Sequence, residues 1–389
     1  MESSRGTGSL VAGVGASTGW GEGAADLVLP IGPQHPSAHG GIRLRLALED
    51  GVVRSVEPEV GFMHRGAEKL FEVRDYRQIL VLANRHDWLS AFGNELGIVL
   101  ATELLLGMAV PPRATWARTC LAEIGRTLAS LAFLASPPDP HGEGTVTHQE
   151  VLALREPLQR VLEEVSGGRV HFMLNRVGGL KEDVPAGWPE RAAAAVAEVR
   201  AGLPRVRALT VGDPALAARL RGIGVLPREA ALGWGASGPV ARGSGVGVDL
   251  RRDAPYLSYG ALDVPRVVRA EGDALARWEV LLESATDALA LAEACLPALE
   301  ASTGEEHAVR LPKVLTVPVG TAYAATENPL GLNGYYLVSR GGKVPWRLKL
   351  RSASFGNVQA VQALLPGTRV EDLAAVVTSL FFVTGDVDR

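Results

Sequence analysis

The chain has 389 residues, 47% of them hydrophobic, which is enough to bury a large core and excludes a disordered protein. Its 39 basic and 43 acidic residues are well mixed and leave a net charge of −4, so no electrostatic footprint for nucleic acid stands out. The two cysteines, Cys120 and Cys295, lie far apart without a CxxC pair; this excludes a local zinc or iron–sulfur motif and a disulfide framework, and fits a reducing compartment.

Residues 1–25 are rich in Gly, Ser and Ala and read as a flexible tail, without the apolar run of a leader. The next segment, Gly32 to Gly40 (GPQHPSAHG), sets two histidines, His35 and His39, among two prolines and two glycines. Each proline fixes its own φ and restrains the residue before it, so the pattern predicts a stiff loop carrying two imidazoles that titrate near neutral pH. Alternation from Ile42 to Leu48, then Glu49-Asp50-Gly51, then Val52 to Val56, predicts a β-hairpin inside an N-terminal β region over 26–62.

Helical periodicity dominates from Ala67. The expected helices run over Ala67–Phe71, Tyr76–Leu106, Ala114–Leu134, Gln149–Val165, Pro189–Leu203 and Ala274–Glu300, giving a long-helix bundle over 63–208 and 274–301. The apolar stretch Ile98–Val110 is interrupted by Glu103 and is too short to span a bilayer, which predicts a soluble or peripheral protein. Pro111-Pro112, the proline run Pro137 to Pro140 and Gly167-Gly168 separate the helices, and the loop Ser136–Thr147 is long enough to carry function. Glycine-rich loops and short strands are expected over 209–273. A second small sheet, an apolar helix over Val370–Leu380 and a short tail are expected within 311–389. The fold class is thus α+β, a central long-helix bundle with small antiparallel sheets near both termini.

Several motifs in one order resemble those of a known family over nearly the whole chain from Leu27. They are Gly32–Gly40, Gly61–Tyr76, Arg176–Pro185, Gly238–Arg252, Tyr335–Gly342 and Gly385–Arg389. They are similar to the D subunit of the proton-pumping NADH-quinone oxidoreductase, respiratory complex I, a family similar in turn to the large subunits of nickel–iron hydrogenases. In those hydrogenases four cysteines in two CxxC motifs hold the metals. The matching positions here are Asp87, Ser90, Val383 and Asp386, none of them cysteine. Carboxylates, a hydroxyl and an apolar side chain cannot replace soft thiolates, so no metal is expected at this cavity and a working nickel–iron hydrogenase is excluded.

The resemblance implies a quinone headgroup site fed with electrons by an iron–sulfur protein, and coupling of quinone reduction to proton translocation. The chain itself carries no redox cofactor; NADH and the iron–sulfur clusters belong to partner subunits. Implied partners are B-like and C-like iron–sulfur subunits and an H-like membrane-arm subunit, with the chain peripheral on the cytoplasmic side of the cell membrane.

By the same resemblance His39 holds one quinone carbonyl and His35 supports the loop. Trp88, after Asp87, stands where the family has a tyrosine, and its indole N–H can donate but has no proton to release near neutral pH. Asp139 in the loop Ser136–Thr147 is the carboxylate expected to orient His39 and raise its basicity. Arg65, Arg85, Asp386 and Asp388 are expected to form a polar network where the metals stood. Two further readings stay open: a scaffold that docks an iron–sulfur protein without binding quinone, and a hydrogenase-like subunit with another metal or electron donor. Three departures from the family, at Ala353–Asn357, Thr326–Leu332 and Phe381-Phe382, thin the polar lining and indicate a divergent, second-type member.

Overall fold

A computed structural model describes residues 7–14, 26–29, 35–138 and 144–389 of the chain. The alternating segment forms strands β3 (Ile42–Glu49) and β4 (Val52–Glu59), joined by a tight turn in which Asp50 and Gly51 take φ of 52° and 76°. Both central turn residues at positive φ match the right-handed twist of the strands, as the acidic-Gly pair predicts. Ile42, Leu44, Leu46, Val53 and Val56 face inward and bury almost completely. The expected tail contributes β1 (Thr7–Val14), which pairs antiparallel with β3, and β2 (Asp26–Leu29) adds a parallel edge. Leu10-Val11-Ala12 gave that tail enough apolar character to join the sheet between β2 and β3, and the glycines around it masked the signal.

The bundle holds helices α1 (Ala67–Phe71), α2 (Ile79–Ala83), α3 (Ala91–Leu106), α4 (Pro112–Leu134), α5 (Gly144–Ser166) and α6 (Trp188–Leu209). The single helix expected over Tyr76–Leu106 is broken between α2 and α3. There the polar run Asn84-Arg85-His86-Asp87 interrupts the apolar period, and the Asp87 carboxylate caps a 3-10 turn at Trp88–Ser90 by accepting from the Leu89 and Ser90 amides at 3.0 and 3.2 Å. Trp88–Leu106 does have the length and hydropathy of a membrane span, contrary to the sequence reading, yet 72% of it is buried among the protein's own elements, as in the core helix of a globular fold. The two-residue strands β5 (Asn175–Arg176) and β6 (Gly179–Leu180) follow α5.

Residues 209–273 were expected to be loops and short strands and are instead a chain of short helices: α7 (Pro214–Leu220), α8 (Arg228–Gly233), α9 (Gly238–Arg242) and α10 (Leu250–Asp253). Each has a start signal that the glycines obscured. Asp213 and Asp249 cap α7 and α10, and prolines stand at or beside the first residue of α7, α8 and α9. Helix α11 (Ala274–Ala301), capped by Asp273, packs along α4 and buries Trp278.

The second sheet is the antiparallel meander β7 (Gly320–Asn328), β8 (Gly331–Ser339) and β9 (Arg347–Arg351). Helices α12 (Ala353–Gln359), α13 (Val361–Leu364), α14 (Leu373–Thr378) and α15 (Thr384–Asp388) close the chain. The helix expected over Val370–Leu380 is therefore a 3-10 turn plus a short α14, and the expected terminal tail is itself helical and buried.

Candidate functional site

The stiff loop, the break between α2 and α3 and the terminal helix α15 meet at one place. His35 caps the 3-10 turn Pro36–Ala38, its Nδ1 accepting from the Ser37 amide at 3.2 Å. Ser37 Oγ donates to the Phe382 carbonyl at 2.7 Å. Gly40 lies at φ 118°, and a Cβ there would stand 2.8 Å from the Thr384 Cβ, so only glycine lets the loop lie this close to the start of α15.

The two histidines differ sharply. His35 is fully buried with its ring edge-on to Phe133, its Nε2 has no partner, and burial, then the nearby His39, lowers its pKa to about 3. His39 is exposed and meets Trp88 edge-on, ring centroids 5.7 Å apart. His35 thus sits within the loop's packing, and His39 lies at its surface.

Asp87 is buried, and burial first and the Asp386 carboxylate second push its carboxyl well above the ordinary carboxylate range. Asp386 accepts from the Ser354 amide at 3.1 Å, and its other oxygen lies 3.1 Å from Nδ1 of His86, whose Nε2 is buried without a partner. Two of the four hydrogenase-ligand positions therefore face each other as carboxylates, Ser90 Oγ stays buried without a partner, and Val383 has an aliphatic side chain and bonds only through its backbone, its amide donating to Ser354 Oγ. Oxygen donors with one aliphatic side chain do not fit a thiolate-held nickel–iron pair.

A carboxyl whose folded pKa is raised favours the fold at low pH and opposes it as pH climbs toward that raised value. Asp87→Asn keeps an acceptor oxygen for the Leu89 and Ser90 amides and removes the proton. The variant is expected to gain thermal stability over the parent increasingly as pH climbs above the ordinary aspartate pKa of about 4, read by melting curves from acid to neutral pH.

The expected four-residue polar network is only partly formed. Asp388 accepts from the Gly61 and Met63 amides at 2.7 and 2.6 Å and tethers the chain end to the β4–α1 connection. Arg65 is exposed and donates to the Arg85 carbonyl; Arg85 itself points to solvent and makes no ion pair with Asp87, Asp386 or Asp388. The reason is cost: the buried carboxylates are already served by amides, a histidine and protonation, and a desolvated guanidinium would add a penalty. His86, one residue on, takes the place that the sequence assigned to Arg85. Asp139 lies outside the described residues.

Sequence reasoning also missed a larger cluster beside the site. Arg126, Arg242 and Arg251 interleave with Glu123, Asp249 and Glu327, all at most 3% exposed. Arg251 reaches Glu123 at 2.8 Å and Asp249 at 2.7 Å, Arg242 reaches Glu327 at 2.8 Å, and the Tyr259 hydroxyl donates to Glu123. The three-residue spacing of Glu123 and Arg126 within α4 was the available signal. A second buried carboxylate, Glu95, collects the Met173, Leu174 and Asn175 amides and fixes the segment that carries Phe172. Phe381 packs edge-on against both Phe133 and Trp278 and is part of the core.

Residues 142–389 match the family described as respiratory-chain NADH dehydrogenase, 49 Kd subunit. The chain is 60% identical over 376 residues to the NADH-quinone oxidoreductase D subunit numbered 2 of Salinispora tropica, covering 97% of this chain and 96% of that protein. It is 58% identical to the NADH-quinone oxidoreductase D subunit numbered 1 of Streptomyces coelicolor, covering 94% and 96%. A chain in the structure of the membrane-bound sulfane sulfur reductase, an archaeal respiratory membrane complex, superposes with a TM-score of 0.85 at 31% identity, covering 92% of this chain and 97% of that one. The chain belongs to the family of respiratory-chain NADH dehydrogenase 49 kDa subunits, the D subunits of NADH-quinone oxidoreductases.

Proposed function

We propose that this D subunit forms the quinone headgroup site of its complex, peripheral to the membrane on the cytoplasmic side and coupled to proton translocation. The observation that carries the reading is the exposed imidazole of His39, held on a proline-stiffened loop against Trp88. Electrons would come from the iron–sulfur chain of a B-like partner, with C-like and H-like membrane-arm partners alongside. This chain would hold no redox cofactor of its own.

Reduction of a quinone to a quinol takes two electrons and two protons. The electrons arrive from the neighbouring subunit, His39 as imidazolium gives a proton to one carbonyl oxygen, and water carries the second proton to the other. Trp88 offers an apolar face and one N–H, so it can hold the ring and orient a carbonyl but not protonate it. His35, kept neutral by burial, contributes shape rather than charge.

The scaffold reading draws on the apolar Phe381 contacts, which remove polar lining from the same region. Binding of a quinone-site inhibitor to the assembled complex separates the two. His39→Ala is expected to weaken it at least tenfold and to slow quinone reduction by about 100-fold, the lower end of what a positioned acid contributes. Unchanged binding and turnover would leave only the scaffold.

A further inference from the structure

Two consecutive residues of α15 touch the two halves of the site. Thr384 lies against Gly40, the residue after His39, where an added Cβ would stand 2.8 Å from the Thr384 Cβ. Gly385 lies against His86, two residues before Trp88, and a Cβ on Gly385 would stand 2.5 Å from the His86 carbonyl oxygen. Both approaches are too close for another atom to come between. The peptide unit holds consecutive Cα atoms about 3.8 Å apart, so the histidine loop and the Trp88 turn are set against neighbouring positions of one short rigid element.

That element is itself fixed from behind. The Ser354 amide donates to Asp386 at 3.1 Å, Ser354 Oγ accepts from the Val383 amide at 3.2 Å, and Asp388 accepts from the Gly61 and Met63 amides. Ser37 Oγ, donating to the Phe382 carbonyl, ties the loop to the same segment.

The hold on the Trp88 turn runs through His86, whose Nδ1 lies 3.1 Å from Asp386 Oδ1. For the fold alone histidine is a poor choice here. Its Nε2 is buried without a partner, an unmet polar atom that leucine would not have, and Asp386 already receives the Ser354 amide. What histidine adds is a directional link between α15 and the turn. Asp87 carries the link onward, since its carboxylate caps the Trp88 turn at the Leu89 and Ser90 amides.

Building on the quinone-site reading, we infer that α15 is the gauge that sets the separation of His39 and Trp88, with His86 the positioning residue that holds the Trp88 turn to it. The two rings stand with centroids 5.7 Å apart, and a single edge-on contact with an exposed imidazole is too weak to fix that distance by itself. Thr384 acts through Gly40 on His39, and His86 acts through Asp87 on Trp88. Neither needs to touch the quinone.

The test uses the purified complex, with every variant read per assembled complex. His86→Leu removes the link to Asp386, and Gly385→Ala pushes the turn away without removing a hydrogen bond. Each is expected to speed hydrogen exchange at the Leu89 and Ser90 amides and to lower both quinone-site inhibitor affinity and quinone turnover by about tenfold, since a misplacement of about 1 Å can cost on the order of 100-fold. His86→Asn, whose side-chain amide falls at the place of Nδ1, should recover most of the loss, and His86→Leu should add nothing to the effect of Asp386→Ala. Exchange at Leu89 and Ser90 as slow in both variants as in the parent would overturn the gauge, whatever becomes of the quinone reading. Faster exchange with parent-like inhibitor binding, while His39→Ala loses that binding, would also overturn it and leave the quinone reading intact. Parent-like binding in His39→Ala as well would overturn both.

Discussion

Arg251→Met is expected to destabilise the protein by about 3–5 kcal/mol, the cost of leaving a buried charge uncompensated. The three arginines and three carboxylates of the buried cluster balance, and Arg251 alone bridges Glu123 of α4 to Asp249 at the start of α10. Its loss leaves Glu123 with Arg126 and the Tyr259 hydroxyl, and Asp249 with Arg242, so one negative charge is unmatched where no water can reach. Methionine fills much of the same volume, which makes the loss electrostatic rather than a cavity effect. Adding Glu123→Gln to Arg251→Met should therefore recover part of the stability, a sign that simple loss of packing would not give. Hydrogen exchange in the α4 and α10 segments of the assembled complex reads the effect. Exchange as slow in Arg251→Met as in the parent would show that the cluster adds no net stability.

The cluster also positions the site. Arg126 donates to the Glu327 and Asn328 carbonyls at the end of β7. Asn328 in turn donates to Asn94 of α3 at 2.9 Å, close behind the Trp88 turn. The ions thus hold the β7–β8 hairpin, α3 and α4 in one register around Trp88.

What the sequence made legible follows a physical divide. The hairpin over β3 and β4 and the long helices α4, α5, α6 and α11 were readable because period and turn chemistry are local. The short helices of 209–273 were not, since their caps, Asp213 and Asp249, lie among glycines that by composition favour loops. Proline stiffening marked the loop of His35 and His39 along the chain, but the choice of His39 and Trp88 came from the family resemblance. Their contact could not be read, because the residues are 49 positions apart and only packing joins them. Arg85 was expected to pair with the buried carboxylates, whereas the neighbouring His86 is the one buried against Asp386.

Acidification should loosen the histidine loop before it touches most of the fold. His35 has a pKa near 6.5 in an unfolded chain and about 3 here, so the folded state resists a proton that the unfolded state accepts. The fold keeps the full benefit of a neutral His35 above pH about 6.5 and loses it as pH falls toward about 3, by roughly 4–5 kcal/mol at the limit. Protonation would also take away the Nδ1 lone pair that receives the Ser37 amide, and would place a charge against Phe133. His35→Asn keeps a capping oxygen without a titrating ring; it should be somewhat less stable than the parent at neutral pH, from lost packing on Phe133, but should lack this acid loss. Melting curves of the two forms would then converge or cross as pH drops below about 6, and parallel curves would show that His35 is not the group that titrates. The consequence for function is a matter of charge placement: burial keeps His35 neutral, so this histidine contributes shape and a cap, not charge, to the loop beside Trp88.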